Sequence, residues 1–192
     1  QIGRRLQTAF DRDGGSNQKL LELARHLNFG ASALSSHAER KDLSRLNLRA
    51  AKAAKANGSY RLQATLVEDA ERLLSECTSE NDPELSMALS LERIEAYFLL
   101  RDFAEVHRCG QELLSRDVAA LTRLCVQELR VRAYQASGQF GEGERLGIVA
   151  LAEQGITYPE TNEARIELAR RWIADCDAWL DENPGVIPKM PA

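Results

Sequence analysis

Proline, aromatic residues and long apolar runs are scarce in this chain of 192 residues, and each scarcity narrows the choice of fold. Only five prolines occur, and the stretches 1–82 and 84–158 contain none. Because proline breaks helices, these stretches leave room for long helices. Aromatic residues make up 6% of the chain, whereas alanine, leucine, glutamate and arginine dominate it, as is typical of helical proteins. No apolar run reaches the length of about 18 residues that a transmembrane helix needs, so we predict no membrane span.

The chain also lacks an excess of positive charge. Its 25 lysines and arginines are outnumbered by 29 aspartates and glutamates, and the net charge is −4. A mildly acidic chain has no overall attraction to nucleic acid or to an anionic membrane, so we expect neither as a partner. The four cysteines lie far apart and form no C-x-x-C pair. This excludes the usual zinc and redox motifs and favours reduced thiols in the cytoplasm.

Catalytic motifs are missing as well. The glycine-rich stretch "SGQFGEGERLG" at 137–147 is close to a kinase nucleotide loop, but its flanks have helical patterns and no V-A-I-K, H-R-D or D-F-G accompanies it. The chain contains no G-K-[ST], G-x-S-x-G or H-E-x-x-H sequence. We therefore predict that this chain is not an enzyme and holds no metal and no cofactor. Gly138 is better interpreted as the glycine that ends a helix with a positive φ.

Apolar residues recur at helical spacing along the chain, and no β-type alternation is present. Near the C-terminal end, for example, Ile166, Ala169, Ile173, Cys176 and Leu180 fall on one helical face. "NDPEL" at 81–85 predicts a helix capped by Asp82, with Pro83 in its first turn. The predicted helices span 2–12, 17–29, 36–56, 59–76, 83–100, 102–115, 117–137, 139–154 and 160–181. Residues 182–192, which contain three prolines, are predicted to be a tail or linker.

Three turn regions repeat one arrangement, in which a helix, a short polar turn, an aromatic residue and a second helix follow one another. The aromatic residues are Tyr60, Phe103 and Phe140, which lie 43 and 37 residues apart. Six residues before them lie Ala54, Tyr97 and Tyr134, and ten residues after them lie Ala70, Leu113 and Ala150. These periods are close to the tetratricopeptide repeat of about 34 residues.

This repetition predicts the fold. A helix hairpin cannot bury its apolar face alone, so repeated hairpins stack on one another. We predict an all-α, tetratricopeptide-like α-solenoid of stacked antiparallel helix hairpins. The prediction is a single helical-repeat domain over residues 1–181, cut from a longer chain.

The N-terminal part of the sequence resembles a known helical region. "IGRRL" at 2–6, "HLNFGA" at 26–31, "AERKDLSRLNLRAAKAAKANGSY" at 38–60 and "ITYPE" at 156–160 occur in that order. This series resembles the tetratricopeptide-like region that follows the AAA-type ATPase module in large bacterial multidomain sensor histidine kinases and serine/threonine kinases. The matching residues in 38–60 are Glu39, Arg40, Leu43, Leu46, Asn47, Leu48, Ala50, Lys52, Lys55 and Tyr60. The glycine usual after Ala50 is Ala51 here.

The resemblance implies a place in signal transduction and no chemistry of its own. It implies that the chain lies between an ATPase and downstream sensor and kinase domains, as a non-catalytic module for protein–protein interaction and signal relay. Its partners would be other domains of the parent chain or signalling proteins. No catalytic residue of those kinases falls on this sequence.

The candidate binding residues lie on three predicted helices. A basic stripe at helical spacing runs along 36–56 through Lys41, Arg45, Arg49 and Lys52, and Lys55 extends it. It predicts either a docking face, for an acidic partner or for nucleic acid, or the solvated side of an amphipathic helix. The residues assigned to a concave groove of the solenoid are Asn47, Arg49, Ala50, Tyr97, Arg130 and Tyr134. Together with the stripe, the candidate partner-binding residues are Lys41, Arg45, Asn47, Arg49, Lys52, Tyr97, Arg130 and Tyr134.

Two alternatives remain at this point. The first is a ligand-sensing helical-repeat domain of an ATPase-type transcription regulator, which predicts a rise in melting temperature with its ligand. The second is an enzyme with an unrecognised site, which predicts turnover by the isolated chain. No feature of the sequence predicts an oligomeric state.

Overall fold

A computed structural model describes residues 16–77, 82–159 and 161–183, and within them the chain forms α-helices and no strand. The helices are α1 (Asn17–Phe29), α2 (His37–Ala56), α3 (Tyr60–Ser75), α4 (Pro83–Leu99), α5 (Phe103–Leu114), α6 (Ala120–Ala136), α7 (Phe140–Glu153) and α8 (Asn162–Glu182). A short 3-10 helix, Ala31–Ala33, joins α1 to α2 and was not predicted.

The all-α prediction is confirmed for the described residues. Each of the eight predicted helices between 17 and 181 begins and ends within three residues of an observed one. The ninth predicted helix, 2–12, lies outside the described residues, as does almost all of the predicted tail 182–192. The solenoid arrangement stays a prediction.

Polar caps explain several of the helix starts. The Ser36 hydroxyl accepts a hydrogen bond from the Glu39 amide at 3.1 Å, and α2 begins there. The Asp82 carboxylate accepts one from the Leu85 amide at 3.1 Å, with Pro83 in the first turn of α4. Each cap satisfies an amide that has no partner within the helix. The cap predicted from "NDPEL" is therefore confirmed.

The turns after α2, α4 and α6 share one backbone geometry. Each contains one residue in the left-handed region: Gly58 with φ 71°, Arg101 with φ 62° and Gly138 with φ 76°. The next residue donates its amide to a carbonyl five positions earlier: Ser59 to Ala54 at 2.9 Å, Asp102 to Tyr97 at 2.9 Å and Gln139 to Tyr134 at 2.8 Å. This pattern is the Schellman motif, and the next helix begins one residue later. The predicted positive φ of Gly138 is confirmed.

The chain divides into two compact units, Gln1–Glu144 and Arg145–Ala192. In the first unit, each helix from α1 to α6 contacts its neighbour in the chain, and α4 also contacts both α2 and α6. Two apolar cores result. One lies among α1 to α4 and includes Leu46, Val67 and Leu89, and the other lies among α4 to α6 and includes Ile94 and Val126.

The second unit contains the C-terminal part of α7 and the whole of α8. Thr161 caps α8 by accepting a hydrogen bond from the Ala164 amide at 3.3 Å. The Arg165 guanidinium lies 5.0 Å from the centre of the Tyr158 ring and donates through Nε to the Pro159 carbonyl at 2.9 Å. These contacts tie the segment before α8 to its first turns.

Arg101 occupies a position where the other two turns have glycine, and this gives a test of backbone strain. The left-handed conformation costs a non-glycine residue about 1 kcal/mol. The Arg101 guanidinium lies 5.7 Å from the centre of the Phe103 ring, and this cation–π contact offsets part of the strain. We expect Arg101→Gly to be more stable to urea than Arg101→Ala by about 1 kcal/mol, because neither variant keeps the ring contact.

The matched control is Gly138→Ala, in which a Cβ meets nothing within 4 Å. It should lower the free energy of unfolding by about 1 kcal/mol through the backbone alone. Equal free energies of unfolding for Arg101→Ala and Arg101→Gly would contradict the claim that a side chain at position 101 strains the backbone.

Candidate functional site

Both ends of the basic stripe on α2 hold α4 in place. Lys41 Nζ lies 3.2 Å and an Arg45 Nη 2.9 Å from the carboxylate of Asp82, which caps α4. At the other end, Lys55 Nζ lies 3.0 Å from Glu92 and 2.7 Å from Glu95 of the same helix. The stripe is therefore neither purely a docking face nor purely a solvated side, because Lys41, Arg45 and Lys55 form ion pairs between α2 and α4.

A buried polar network joins α2, α3 and α4 at the Lys55 end. Gln63 of α3 is fully buried and donates through Nε2 to Glu92 Oε1 at 2.9 Å. Glu92 is 5% exposed and also pairs with Lys55. Burial lowers the pKa of Lys55, but hydrogen bonds to Glu95 and Glu92 outweigh it and leave that pKa above its ordinary value. This network was missed in the sequence, where its residues stand in ordinary polar stretches.

Asn47 lies in the interior. Its Nδ2 donates to Asn28 Oδ1 at 2.8 Å, and Asn28 Nδ2 donates back to Asn47 Oδ1 at 2.9 Å. Asn47 stands seven residues before Ala54, and the same position holds Ser90 in α4 and Gln127 in α6, both buried. The structure thus uses this repeat position for a buried polar side chain, and Asn47 joins α2 to α1.

Tyr97 and Tyr134 are half-buried at the end of α4 and of α6. The Tyr134 ring stacks on His107 of α5, with ring centres 3.9 Å apart. Burial raises the pKa of Tyr97, and the negative charges of Glu68 of α3 and Glu105 of α5 add to it. Tyr134 therefore lies against α5, and Tyr97 packs against the second apolar core, to which α5 contributes.

Arg93 and Arg130 occupy the same repeat position, four residues before Tyr97 and Tyr134. Arg93 lies between two carboxylates, with one Nη 3.2 Å from Glu71 of α3 and the other 3.5 Å from Glu112 of α5. Arg130 instead donates to Gln127 of its own helix at 3.2 Å. The two arginines thus share a position and differ in their partners.

Arg130 lies across a glycine of α5. A Cβ added to Gly110 would lie 2.8 Å from Arg130 Cδ and 3.1 Å from Cγ, so the aliphatic stem needs the glycine. Beside it, His107 stacks on Tyr134. We name these four residues, His107, Gly110, Arg130 and Tyr134, the α5–α6 cluster.

The α5–α6 cluster contains buried polar atoms whose hydrogen-bonding capacity is unused. Among the described residues, neither His107 Nδ1, His107 Nε2 nor Arg130 Nε has a hydrogen-bond partner. Burial lowers the pKa of His107, and the positive charge of Arg130 lowers it further, so the ring is neutral at pH 7. The cluster therefore offers one fixed cation and a neutral ring able to donate or accept.

The eight candidate partner-binding residues fall into distinct environments. Lys41 and Arg45 bind the cap of α4, Asn47 is interior, and Arg49 and Lys52 are exposed in the middle of the stripe. The remaining three, Tyr97, Arg130 and Tyr134, lie beside α5. The structure brings Arg130 and Tyr134 together, and His107 was missed as their neighbour because its own sequence context contains no motif.

The buried position of Glu92 gives a stability test. Glu92→Ala leaves Lys55 with a weaker partner and removes the acceptor of the buried Gln63 amide, so we expect it to lower the free energy of unfolding by about 2 kcal/mol. Glu95→Ala is the matched control, since Glu95 also pairs with Lys55 but is 39% exposed, and it should cost below about 1 kcal/mol. Urea unfolding of both variants measures the difference, and equal losses would refute the importance of burial here.

Asp82 gives a test by pH. The Leu85 amide, Lys41 and Arg45 hold the pKa of Asp82 below its ordinary value of 3.8. Its carboxylate therefore contributes stability that is present above the pKa of the unfolded chain and is lost as pH falls through the folded pKa. Asp82→Asn keeps the cap but removes both ion pairs, so at pH 7 it should be about 1 kcal/mol less stable than the native chain.

The difference between the native chain and Asp82→Asn should shrink as pH falls below 3.8, because the carboxyl of the unfolded chain is protonated first and that of the folded chain follows at its lower pKa. Urea unfolding at pH 7 and near pH 3 measures it. A difference that stays the same at both pH values would contradict the ion-pair assignment.

Three further findings bear on this site. Over the described residues, no three His, Cys, Asp or Glu side chains are grouped so that they could hold a metal ion. In the same part of the chain, no helix combines the length and the apolar character that crossing a membrane requires. Comparison with family models, with curated proteins and with solved structures gives no match.

Proposed function

We propose that this chain is a non-catalytic, tetratricopeptide-like module for protein–protein interaction that relays signals within a bacterial multidomain ATPase and kinase protein of the cytoplasm. The observation that carries the proposal is the recurrence of one turn geometry after α2, α4 and α6. Repeated helix hairpins present an extended surface without needing an active site. That surface, rather than a catalytic group, is the functional part of the chain.

The contacts of the first unit support stacked hairpins. Helices α2 and α4 contact each other, as do α4 and α6, although a whole helix separates each pair in the chain. A shallow depression of about 410 Å³ is lined by Tyr60, Arg61 and Leu62 of the first turn region together with Leu100 of the second. Neighbouring turns therefore lie side by side, as expected if successive hairpins stack in register.

The residues behind the family resemblance support a shared architecture. Leu43, Leu46 and Ala50 are buried in the first core, Asn47 pairs with α1, and Lys55 pairs with α4. These contacts assemble the first hairpins. Because the matching residues build the helix packing, the resemblance supports a shared fold and, with it, the proposed position within a signalling protein. Arg49 and Lys52 are exposed and are the residues that we propose contact a partner.

An affinity capture from the source cell's lysate tests the proposal, with residues 1–192 as bait and with nuclease-treated and untreated halves. We expect enrichment of polypeptides that contain kinase, receiver or ATPase modules, unchanged by nuclease. The double variant Arg49→Glu, Lys52→Glu should weaken the capture about tenfold or more, because it reverses two exposed charges.

The matched control is Arg170→Glu, Arg171→Glu, which makes the same charge change on exposed residues of α8 and should leave the capture intact. Capture that depends on nucleic acid would overturn the proposal, and so would turnover by the isolated chain. A bait that captures nothing while a small molecule raises its melting temperature would favour the ligand-sensing alternative instead.

A further inference from the structure

The internal comparison of Arg93 with Arg130 points to a binding site at the α5–α6 cluster. Arg93 shows what this repeat position does when its partners are present: its guanidinium binds a carboxylate of α3 and one of α5. Glu71, the α3 partner, stands eleven residues after the aromatic Tyr60. The corresponding position of α5, eleven residues after Phe103, is Leu114.

The second carboxylate is replaced as well. Glu112 stands nine residues after Phe103, and the corresponding position of α7, nine residues after Phe140, is Val149. The chain thus retains the arginine while both positions that supply carboxylates to Arg93 hold aliphatic residues. Carboxylate binding to arginine is charge-assisted and strong, so an arginine without carboxylates at these two positions is suited to an external one.

The surroundings of Arg130 are adapted to this difference. Val67 in α3 corresponds to Gly110 in α5, and the glycine lets the stem of Arg130 lie close against the helix. Arg130 is half-buried, so its guanidinium is partly removed from water. A charged hydrogen bond is stronger there than in full contact with solvent. His107 and Tyr134 form the adjoining wall, and the ring nitrogens of His107 have no partner among the described residues.

We propose that the α5–α6 cluster binds a carboxylate side chain of a partner protein, with Arg130 as the residue that pairs with it and the stacked rings of His107 and Tyr134 as the wall beside it. This inference rests on the proposed function, because it names the chemistry of the interacting partner. The partner's glutamate or aspartate takes the place that Glu71 takes at Arg93. Specificity would come from charge and from the stacked His107–Tyr134 wall beside it.

The test uses the whole chain and a defined probe, acetylated and amidated pentaglutamate, with pentaglutamine as the neutral control. Nuclear magnetic resonance follows the Arg130 Nε–Hε and His107 Cε1–Hε1 signals. We expect both signals to shift saturably with pentaglutamate and to stay in place with pentaglutamine. The proposal would be overturned if pentaglutamate produced no saturable shift of these signals, or if inorganic phosphate produced one and pentaglutamate did not.

Three variants assign the effect to the cluster. Arg130→Gln should weaken pentaglutamate binding about tenfold or more, since it removes a charge-assisted pair. Arg132→Gln removes the same charge from the same helix at a side chain that lies over Phe98, 4.8 Å from the ring centre, and should bind as the native chain does. Leu114→Glu restores the internal carboxylate and should compete with the probe, which gives a second readout if Arg130→Gln does not fold.

These outcomes separate this inference from the proposed function. Equal pentaglutamate binding by the native chain and by Arg130→Gln would refute the site, even if kinase or ATPase polypeptides are captured from lysate. Saturable binding that is lost in Arg130→Gln would establish the site, even if the lysate yields no signalling polypeptide. Circular dichroism of each variant confirms that the helices are retained.

Discussion

The left-handed residue after each of α2, α4 and α6 is the constraint on which the rest of the first unit depends. It satisfies the last carbonyls of one helix and fixes where and in which direction the next one begins. Because the same turn recurs, residues at equal distances from it can be compared with one another. Asn47, Ser90 and Gln127 stand at one such distance and are all buried polar residues, and Arg93 and Arg130 stand at another.

Charge in this chain serves the contacts between helices as well as its surface. Lys41 and Arg45 neutralise the cap of α4, and Lys55 enters a network with the buried Glu92 and Gln63. A buried ion pair adds little net stability, but it penalises any register in which a partner is missing. The paired positions therefore favour one alignment of α2 against α4, which a purely apolar contact would define less sharply.

The sequence was sufficient to predict where the helices begin and end, but not which helices contact one another. Pro83, Gly58 and Gly138 mark helix ends by local chemistry, so the boundaries could be predicted closely. Arg101 could not be predicted in the left-handed region, because arginine does not prefer it. Nor could the groove be resolved: helical spacing shows that a residue belongs to an inner face, and does not show which neighbouring helix that face meets.

For this reason Asn47, Tyr97, Arg130 and Tyr134 were grouped together, although Asn47 pairs with α1 whereas Arg130 and Tyr134 contact α5. The Lys55–Glu92 pair shows the same limit. Its members stand far apart in sequence, and only the hairpin between them brings the charges within 3.0 Å.

Helix α4 belongs to both apolar cores, and this division has a mechanical consequence. Its first half contributes Leu85 and Leu89 to one core, and its second half contributes Ile94 to the other. Close-packed interiors yield little to displacement, so a helix packed into two cores is held at both of its halves. A change in the tilt of α4 would therefore disturb the packing of both cores at once, so the two cores constrain the position of this helix together.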